Sequence, residues 1–480
     1  LSVLTDLAFE ASVAARSLAD YLSGGGLRLG VTGLSRAGKT VFITALVDNL
    51  IGGGRLPVLR ASAEGRIARA HLEPQPDDAV PRFAYEEHLA ALSGPDRHWP
   101  QSTRRISQLR LTIEFERAYR WGAKASELTL DIVDYPGEWL LDLPLLDKSY
   151  AQWSRETIEA SETTARAPLA APWRAFLSGL DPDAKAEEDA ARAAAELFTA
   201  YLRKARDDVY ALSTLPPGRF LMPGDLEGSP ALTFAPLPLN EDAAIAQHSL
   251  AAMMERRYEA YKTHVARPFF RDHFARLDRQ IVLVDALGAL NSGPAALRDL
   301  ENALDGVMRA FRVGRASWLG SVFRPRVDRI LFAATKADHL HHVSHDRLEA
   351  ILRALTTRAI ARAEGVGAEI DVIALAAVRA TREAEIRHAG ETLAAIVGVP
   401  EKGERLGGQV FDGVAEAAVF PGELPEDPQA VFAGEAIALP EADNDWRFLR
   451  FRPPIAARGA PAPHIRLDRA LQFLIGDKLA

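Results

Sequence analysis

The stretch from Leu27 to Val47 constrains this chain more than any other part of its 480 residues. An apolar run, Leu27 to Val31, reads as a strand, and Val41-Phe42-Ile43-Thr44-Ala45-Leu46-Val47 reads as a helix; between them lies Gly33-Leu34-Ser35-Arg36-Ala37-Gly38-Lys39-Thr40. A strand, a glycine-rich turn and a helix make the context that a phosphate-binding loop needs. The two glycines let the backbone curl so that successive N–H groups point at phosphate oxygens, and the helix start adds its positive dipole end. On this reading Gly33, Ser35, Arg36, Ala37, Gly38 and Val41 lie against the nucleotide, Lys39 reaches the β- and γ-phosphates, and Thr40 ligates Mg²⁺.

The pattern around this loop predicts an α/β chain with a mostly parallel sheet and helices on both faces. Alternation returns in Leu109-Arg110-Leu111-Thr112-Ile113-Glu114-Phe115 and in Leu128-Thr129-Leu130-Asp131-Ile132-Val133-Asp134, two further strands. Three more follow at 281–285, 329–334 and 370–375, with helical spacing between them. We expect five parts: residues 1–146, an N-terminal helix (4–22) and the first half of the nucleotide-binding unit; 147–278, a helical insertion; 279–380, the second half; 381–460, a strand-rich insertion; and 461–480, a C-terminal helix. Residues 52–100, with Gly52-Gly53-Gly54 and several prolines, read as loop-rich. Within the helical insertion, Asp181-Pro182 reads as the N-cap and first residue of an Ala-rich helix, and Asn240 as the start of another.

Composition narrows the function classes. A formal net charge of -8 offers no general attraction for nucleic acid. The absence of cysteine excludes disulfides, thiolate metal sites and a thiol nucleophile. No apolar run reaches the ~20 residues that span a bilayer, and Leu1-Ser2-Val3-Leu4-Thr5-Asp6 has neither the basic nor the apolar region of a secretory signal. The expected place of action is the cytoplasm, reaching the inner membrane only by way of a partner.

Two further motifs turn a phosphate cradle into a nucleotide site. Asp134-Tyr135-Pro136-Gly137 closes a strand; Asp134 there would hold Mg²⁺ through water, and the Gly137 N–H would meet the γ-phosphate. Asp131 competes for the first role but lies deeper in the strand. Thr335-Lys336-Ala337-Asp338 ends another strand. The Asp338 carboxylate can accept two hydrogen bonds from N1–H and the exocyclic amine of guanine, which adenine does not offer, while the Lys336 stem lies along the base.

The order of phosphate loop, D-x-x-G and N/T-K-x-D resembles the small GTPase superfamily. More narrowly, the chain resembles the bacterial YcjX family of P-loop NTPases through G-L-S-R-A-G-K-T, W-P-Q-S-T-R-R, D-I-V-D-Y-P-G-E-W, F-A-A-T-K-A-D-H-L and the terminal P-H-I-R-L-D-R-A-L-Q-F-L-I-G-D. The resemblance implies a GTP- or GDP-binding, Mg²⁺-dependent, stress-associated cytoplasmic protein with a membrane-protein partner. In Trp99-Pro100-Gln101-Ser102-Thr103-Arg104-Arg105, Thr103 is the expected second Mg²⁺ ligand, with Ser102 as alternate, and Arg104 or Arg105 a transition-state cation in cis. Ala376, Ala377 and Val378 are the backbone candidates for the base carbonyl.

Two positions depart from the GTPase pattern. Thr335 stands where Asn is usual, as in dynamin-like GTPases, so an ATP-dependent NTPase stays open as a reading. Glu138 stands where a water-orienting Gln is common. A carboxylate there repels the γ-phosphate unless protonated or turned away, so hydrolysis is expected to be slow; a scaffold that binds nucleotide without turnover is the other alternative. His339, His341, His342 and His345 follow the base-reading motif. With no acidic partner at a fixed spacing, they read as a solvated helix start.

Overall fold

The computed structural model describes residues 26–34, 36–75, 80–101, 103, 105–119, 122–207, 209–239, 245–309, 327–365, 367–388, 390–406, 408–433, 448–455 and 459–480. The helix expected at 4–22 lies outside them.

Strand β1 (Gly26–Gly33) is buried from Leu29 onward because it runs through the middle of the sheet. On one side of it the chain supplies β2 (Ile67–Glu73), β3 (Ser107–Tyr119) and β4 (Gly122–Asp134), with β4 next to β1 and β2 at the edge. On the other side lie β5 (Arg279–Val284), β6 (Arg329–Ala334) and β7 (Glu369–Ala374). The order is β2-β3-β4-β1-β5-β6-β7. The pairings β4-β1, β1-β5, β5-β6 and β6-β7 are parallel, and β2-β3 and β3-β4 antiparallel. The sheet is thus mostly parallel, as the sequence pattern predicts. Because the chain leaves β1 toward β4 and later returns on the β5 side, the carboxyl end of β1 is the topological switch point, where open α/β sheets bind ligands.

Alternation along the strands divides the core. Ile281 and Leu283 of β5, with Leu331 and Ala333 of β6, pack with Phe42, Ile43 and Leu46 of helix Lys39–Ile51 and with Leu471 and Leu474 of helix Leu467–Ile475. Val282 and Val284, with Ile330 and Phe332, face the opposite way, onto helices Pro294–Arg309 and His345–Glu364. Because both registers of these strands are apolar, helices must cover both faces of the sheet.

Helices Tyr150–Ser161, Ala167–Leu177, Glu188–Arg206 and Leu250–Tyr261 follow the segment Gly137–Asp147, and their aromatic core continues into that second face. Trp153 stacks on Tyr258 at 5.0 Å and Trp173 on Tyr201 at 5.6 Å between ring centroids. The insertion is therefore fused to the sheet. Two of its starts differ from expectation. Asp181 caps a turn through the Asp183 N–H (3.0 Å), and the Ala-rich helix begins later, at Glu188. Asn240 lies outside the described residues; the next helix begins at Leu250, where the Ser249 hydroxyl accepts from the Ala252 N–H.

Residues 52–100 contain more regular structure than their prolines suggest: β2 and helix Tyr85–Ser93. Strand β2 was hard to read because it is an edge strand with Arg69, His71 and Glu73 along it. Beyond β7, β8 (Arg382–His388), β9 (Glu391–Gly398), the short pair β10 (Arg405–Leu406) and β11 (Gln409–Val410), and β12 (Ala417–Val419) make two small antiparallel sheets.

Candidate functional site

Gly33 ends β1, and a side chain there would lie 2.8 Å from the Leu283 carbonyl. Arg36 and Gly38 take left-handed conformations, φ 64° and 82°, which turn the chain back toward the strand end before the helix begins at Lys39. Ser35 lies outside the described residues. Lys39 is buried, and its Nζ donates to the Gly33 carbonyl at 2.8 Å. The ammonium is thus held inside the loop that would surround a phosphate.

The three expected Mg²⁺ residues meet beside it. Thr103 Oγ1 lies 3.3 Å from Thr40 Oγ1 and donates to Asp134 Oδ2 at 2.6 Å. Asp134 is buried, and its Oδ1 has no hydrogen-bond partner. Burial pushes its pKa up to about 6, against the opposing pull of the Lys39 charge and the Thr103 hydrogen bond. A buried carboxylate oxygen left without a donor and two hydroxyls are an all-oxygen set that fits a hard cation carrying some of its own water. Asp131 serves otherwise: across the β3-β4 pair it takes two hydrogen bonds from Arg110, at 2.6 and 2.7 Å. Arg104 and Ser102 lie outside the described residues.

Gly137 passes so close to the phosphate loop that an added Cβ would sit 2.0 Å from the Gly33 carbonyl and 2.9 Å from Lys39 Nζ. Glu138, next along, is buried and turned to Arg206, whose guanidinium donates to Oε1 at 3.2 Å. The same arginine's carbonyl accepts from Arg36 at 3.3 Å. The carboxylate expected to be repelled is therefore matched by a cation from the helical insertion. Asp142, four residues on, is buried between the two parts: Oδ1 accepts from the Gly218 N–H and Oδ2 from the Tyr261 hydroxyl, both at 2.7 Å. Trp139 donates to the Met222 carbonyl at 2.9 Å, and the Arg219 guanidinium lies 3.2 Å from the centre of its ring. Arg206, Gly218, Arg219 and Tyr261 were illegible as site residues, since nothing in an Ala-rich helix or a Pro-rich linker marks them.

One cavity of about 670 Å³ joins both ends of the site, from Ala37, Gly38 and Thr40 to Thr335, Asp338 and Ala377. Its size is that of a small-molecule pocket. Asp338 is buried; its Oδ2 accepts from the Ala380 N–H at 2.8 Å, and its carbonyl from the Thr381 hydroxyl. Lys336, with φ 61°, pairs with Asp285 at the end of β5. The Thr335 hydroxyl donates to the Val284 carbonyl at 3.3 Å, so it is tied into the sheet. The three backbone candidates, Ala376, Ala377 and Val378, all line the cavity, and the Ala376 N–H is already donated to the Ile465 carbonyl at 3.1 Å. Phe448, Arg450 and Phe451 complete the wall, and the Trp99 indole donates to the Phe451 carbonyl at 2.6 Å. Sequence separation hid them, because they lie more than 100 residues beyond Asp338.

The profile of the YcjX-like family, DUF463, matches residues 27–479. A curated protein of Escherichia coli (strain K12), named Ras-like GTPase YcjX, is 42% identical over 465 residues, covering 94% of this chain and 96% of that protein. A second protein of that name, from Shewanella oneidensis, is 36% identical over 482 residues and 94% of each chain.

Proposed function

From the premise that this chain belongs to the YcjX-like family, whose curated relatives are named Ras-like GTPases, we propose that it is a Mg²⁺-dependent GTP-binding protein that hydrolyses GTP slowly and acts as a nucleotide-controlled switch. The observation that carries this reading is the meeting of Thr40, Thr103 and the unsatisfied Asp134 oxygen beside Lys39, at one end of a cavity with Asp338 at the other. Lys39 would exchange the Gly33 carbonyl for phosphate oxygens, and the first N–H groups of helix Lys39–Ile51 would take up their charge. Thr40, Thr103 and Asp134 would hold Mg²⁺, which neutralises charge on the β- and γ-phosphates. The Gly137 N–H would meet the γ-phosphate, and Asp338 would read guanine.

Slow turnover follows from Glu138. Its carboxylate faces Arg206 and so is engaged where GTPases commonly carry a neutral water-orienting side chain. The switch follows from the same segment: Glu138, Trp139 and Asp142 each bond the helical insertion, so a shift of Gly137 toward a γ-phosphate would be felt there. The stress association and the membrane-protein partner implied by the family resemblance belong to this reading. No described helix is long and apolar enough to cross a membrane, so membrane contact through such a partner is the form we propose.

The second reading, an ATP-dependent NTPase, rests on Thr335, whose hydroxyl is engaged by the sheet. A competition panel with Mg²⁺ and a labelled guanine nucleotide separates the two. GTP should displace the label and excess ATP should not, and D338A should remove that preference while K39A abolishes binding. Equal displacement by ATP, or full affinity in K39A, refutes the assignment.

A further inference from the structure

The four histidines after the base-reading motif divide into two pairs. His339 and His345 are buried, and His345 Nε2 lies 2.9 Å from the Ala337 carbonyl, so they serve the packing of the loop. His341 and His342 instead meet Glu383 on β8, the acidic partner that no sequence spacing revealed. His342 Nδ1 lies 2.8 Å from Glu383 Oε2, the two imidazole centroids are 4.4 Å apart, and one ligand atom from each of the three residues lies within 4.8 Å of the others.

Two independent facts point to a ligand. The Nδ1 atom of the partly buried His341 is itself buried with no hydrogen-bond partner, an unfavourable state unless something satisfies it. Glu383 also offers its second oxygen to Arg379 at 3.5 Å, so the carboxylate is oriented from behind as metal-binding carboxylates are.

We propose that His341, His342 and Glu383 form a site for a divalent transition metal of the Zn²⁺ class, with water completing the coordination, and that filling it braces the loop carrying Asp338 against β8. Two imidazole nitrogens and one carboxylate oxygen are a borderline donor set that suits Zn²⁺, whereas Mg²⁺ and Ca²⁺ favour oxygen alone. The bracing follows from position. His341 and His342 are the third and fourth residues after Asp338, while Glu383 follows Ala380 and Thr381, which already bond the Asp338 carboxylate and carbonyl. A metal would add one more tie between the same two segments. The effect on nucleotide rests on the proposed role of Asp338; the metal site does not.

The test uses the full chain, stripped with chelator and held with GDP and excess Mg²⁺ so that Thr40 and Asp134 are engaged. Zn²⁺ is titrated by calorimetry and Co²⁺ by visible absorption. The wild type should bind one equivalent, H342A and E383Q should each bind at least ~10-fold more weakly, and H248A, at an exposed site in the insertion, should match the wild type. Zn²⁺ should also raise the Tm of the wild type but of neither site variant, each compared with its own metal-free Tm so that folding is checked. Equal affinity in wild type, H342A and E383Q overturns the site. If Zn²⁺ binds as expected but leaves the rate of GDP release unchanged, the bracing is overturned and the site stands.

Discussion

Replacing Asp142 tests most directly the joint between the segment Gly137–Asp147, switch II on the proposed reading, and the helical insertion. Its two oxygens satisfy two buried donors that belong to the insertion, the Gly218 N–H and the Tyr261 hydroxyl. D142A strands both, at about 1–3 kcal/mol each, so it should lower unfolding free energy by roughly 2–6 kcal/mol. D142N keeps an acceptor for Gly218 and offers its amide to the Tyr261 oxygen, so its cost should stay under about 2 kcal/mol. The pH dependence is sharper still. Burial raises the Asp142 pKa from 3.8 to about 7, with the Tyr261 and Gly218 hydrogen bonds and the Arg219 charge pulling it down. The folded state therefore holds this proton more tightly than the unfolded chain, and its contribution to stability is fully present below the unfolded value and lost as pH rises through about 7. At about 1.4 kcal/mol per pH unit, urea unfolding at pH 5 and pH 7.5 should show the wild type losing roughly 3 kcal/mol more than D142N. Asp134 contributes with the same sign, but it is present in both proteins and cancels. An unchanged pH slope in D142N, or a D142A no less stable than D142N, refutes this account.

G137A places a methyl group 2.0 Å from the Gly33 carbonyl, so the phosphate loop and switch II must part by about 1 Å; GTP turnover should fall ~100-fold, and a change within twofold in single-turnover hydrolysis would contradict the close approach. Because the Asp134 pKa is raised to about 6 and Mg²⁺ needs the carboxylate, Mg²⁺ affinity measured in the nucleotide-bound protein should decline below about pH 6, toward tenfold per unit, and D134N should flatten that profile. R206A leaves the buried Glu138 carboxylate without its guanidinium, so hydrolysis should slow further, and adding E138Q should restore part of the rate; no recovery in the double variant would separate Glu138 from that effect.

Local chemistry was readable because it is written in consecutive residues. A left-handed Gly38, a lysine after it and a threonine after that are fixed by chain continuity, and so are Asp134 and Gly137 at a strand end. Helical spacing between the β5, β6 and β7 segments announced a parallel sheet with helices on its faces. Contacts that cross the fold were not readable. Arg206 meets Glu138 across 68 residues, Asp285 meets Lys336 across 51, and Glu383 meets His342 across 41. Arg206 ends a helix, Asp285 caps one and Glu383 lies on a strand, and only the path of the chain gives each its partner.

The sequence by itself determined the strand, loop and helix of the phosphate cradle, the order of the nucleotide motifs and the class of the sheet, because each depends on backbone geometry within a few residues. Tertiary structure decided what surrounds them. It turned Glu138 from the phosphate side toward Arg206, took the Ala376 N–H for Ile465, sealed Asp142 between switch II and the insertion, and left one oxygen of Asp134 without a donor. Those outcomes depend on which donors and charges burial brings within about 3 Å, and in a low-dielectric interior that distance governs both charge state and bonding.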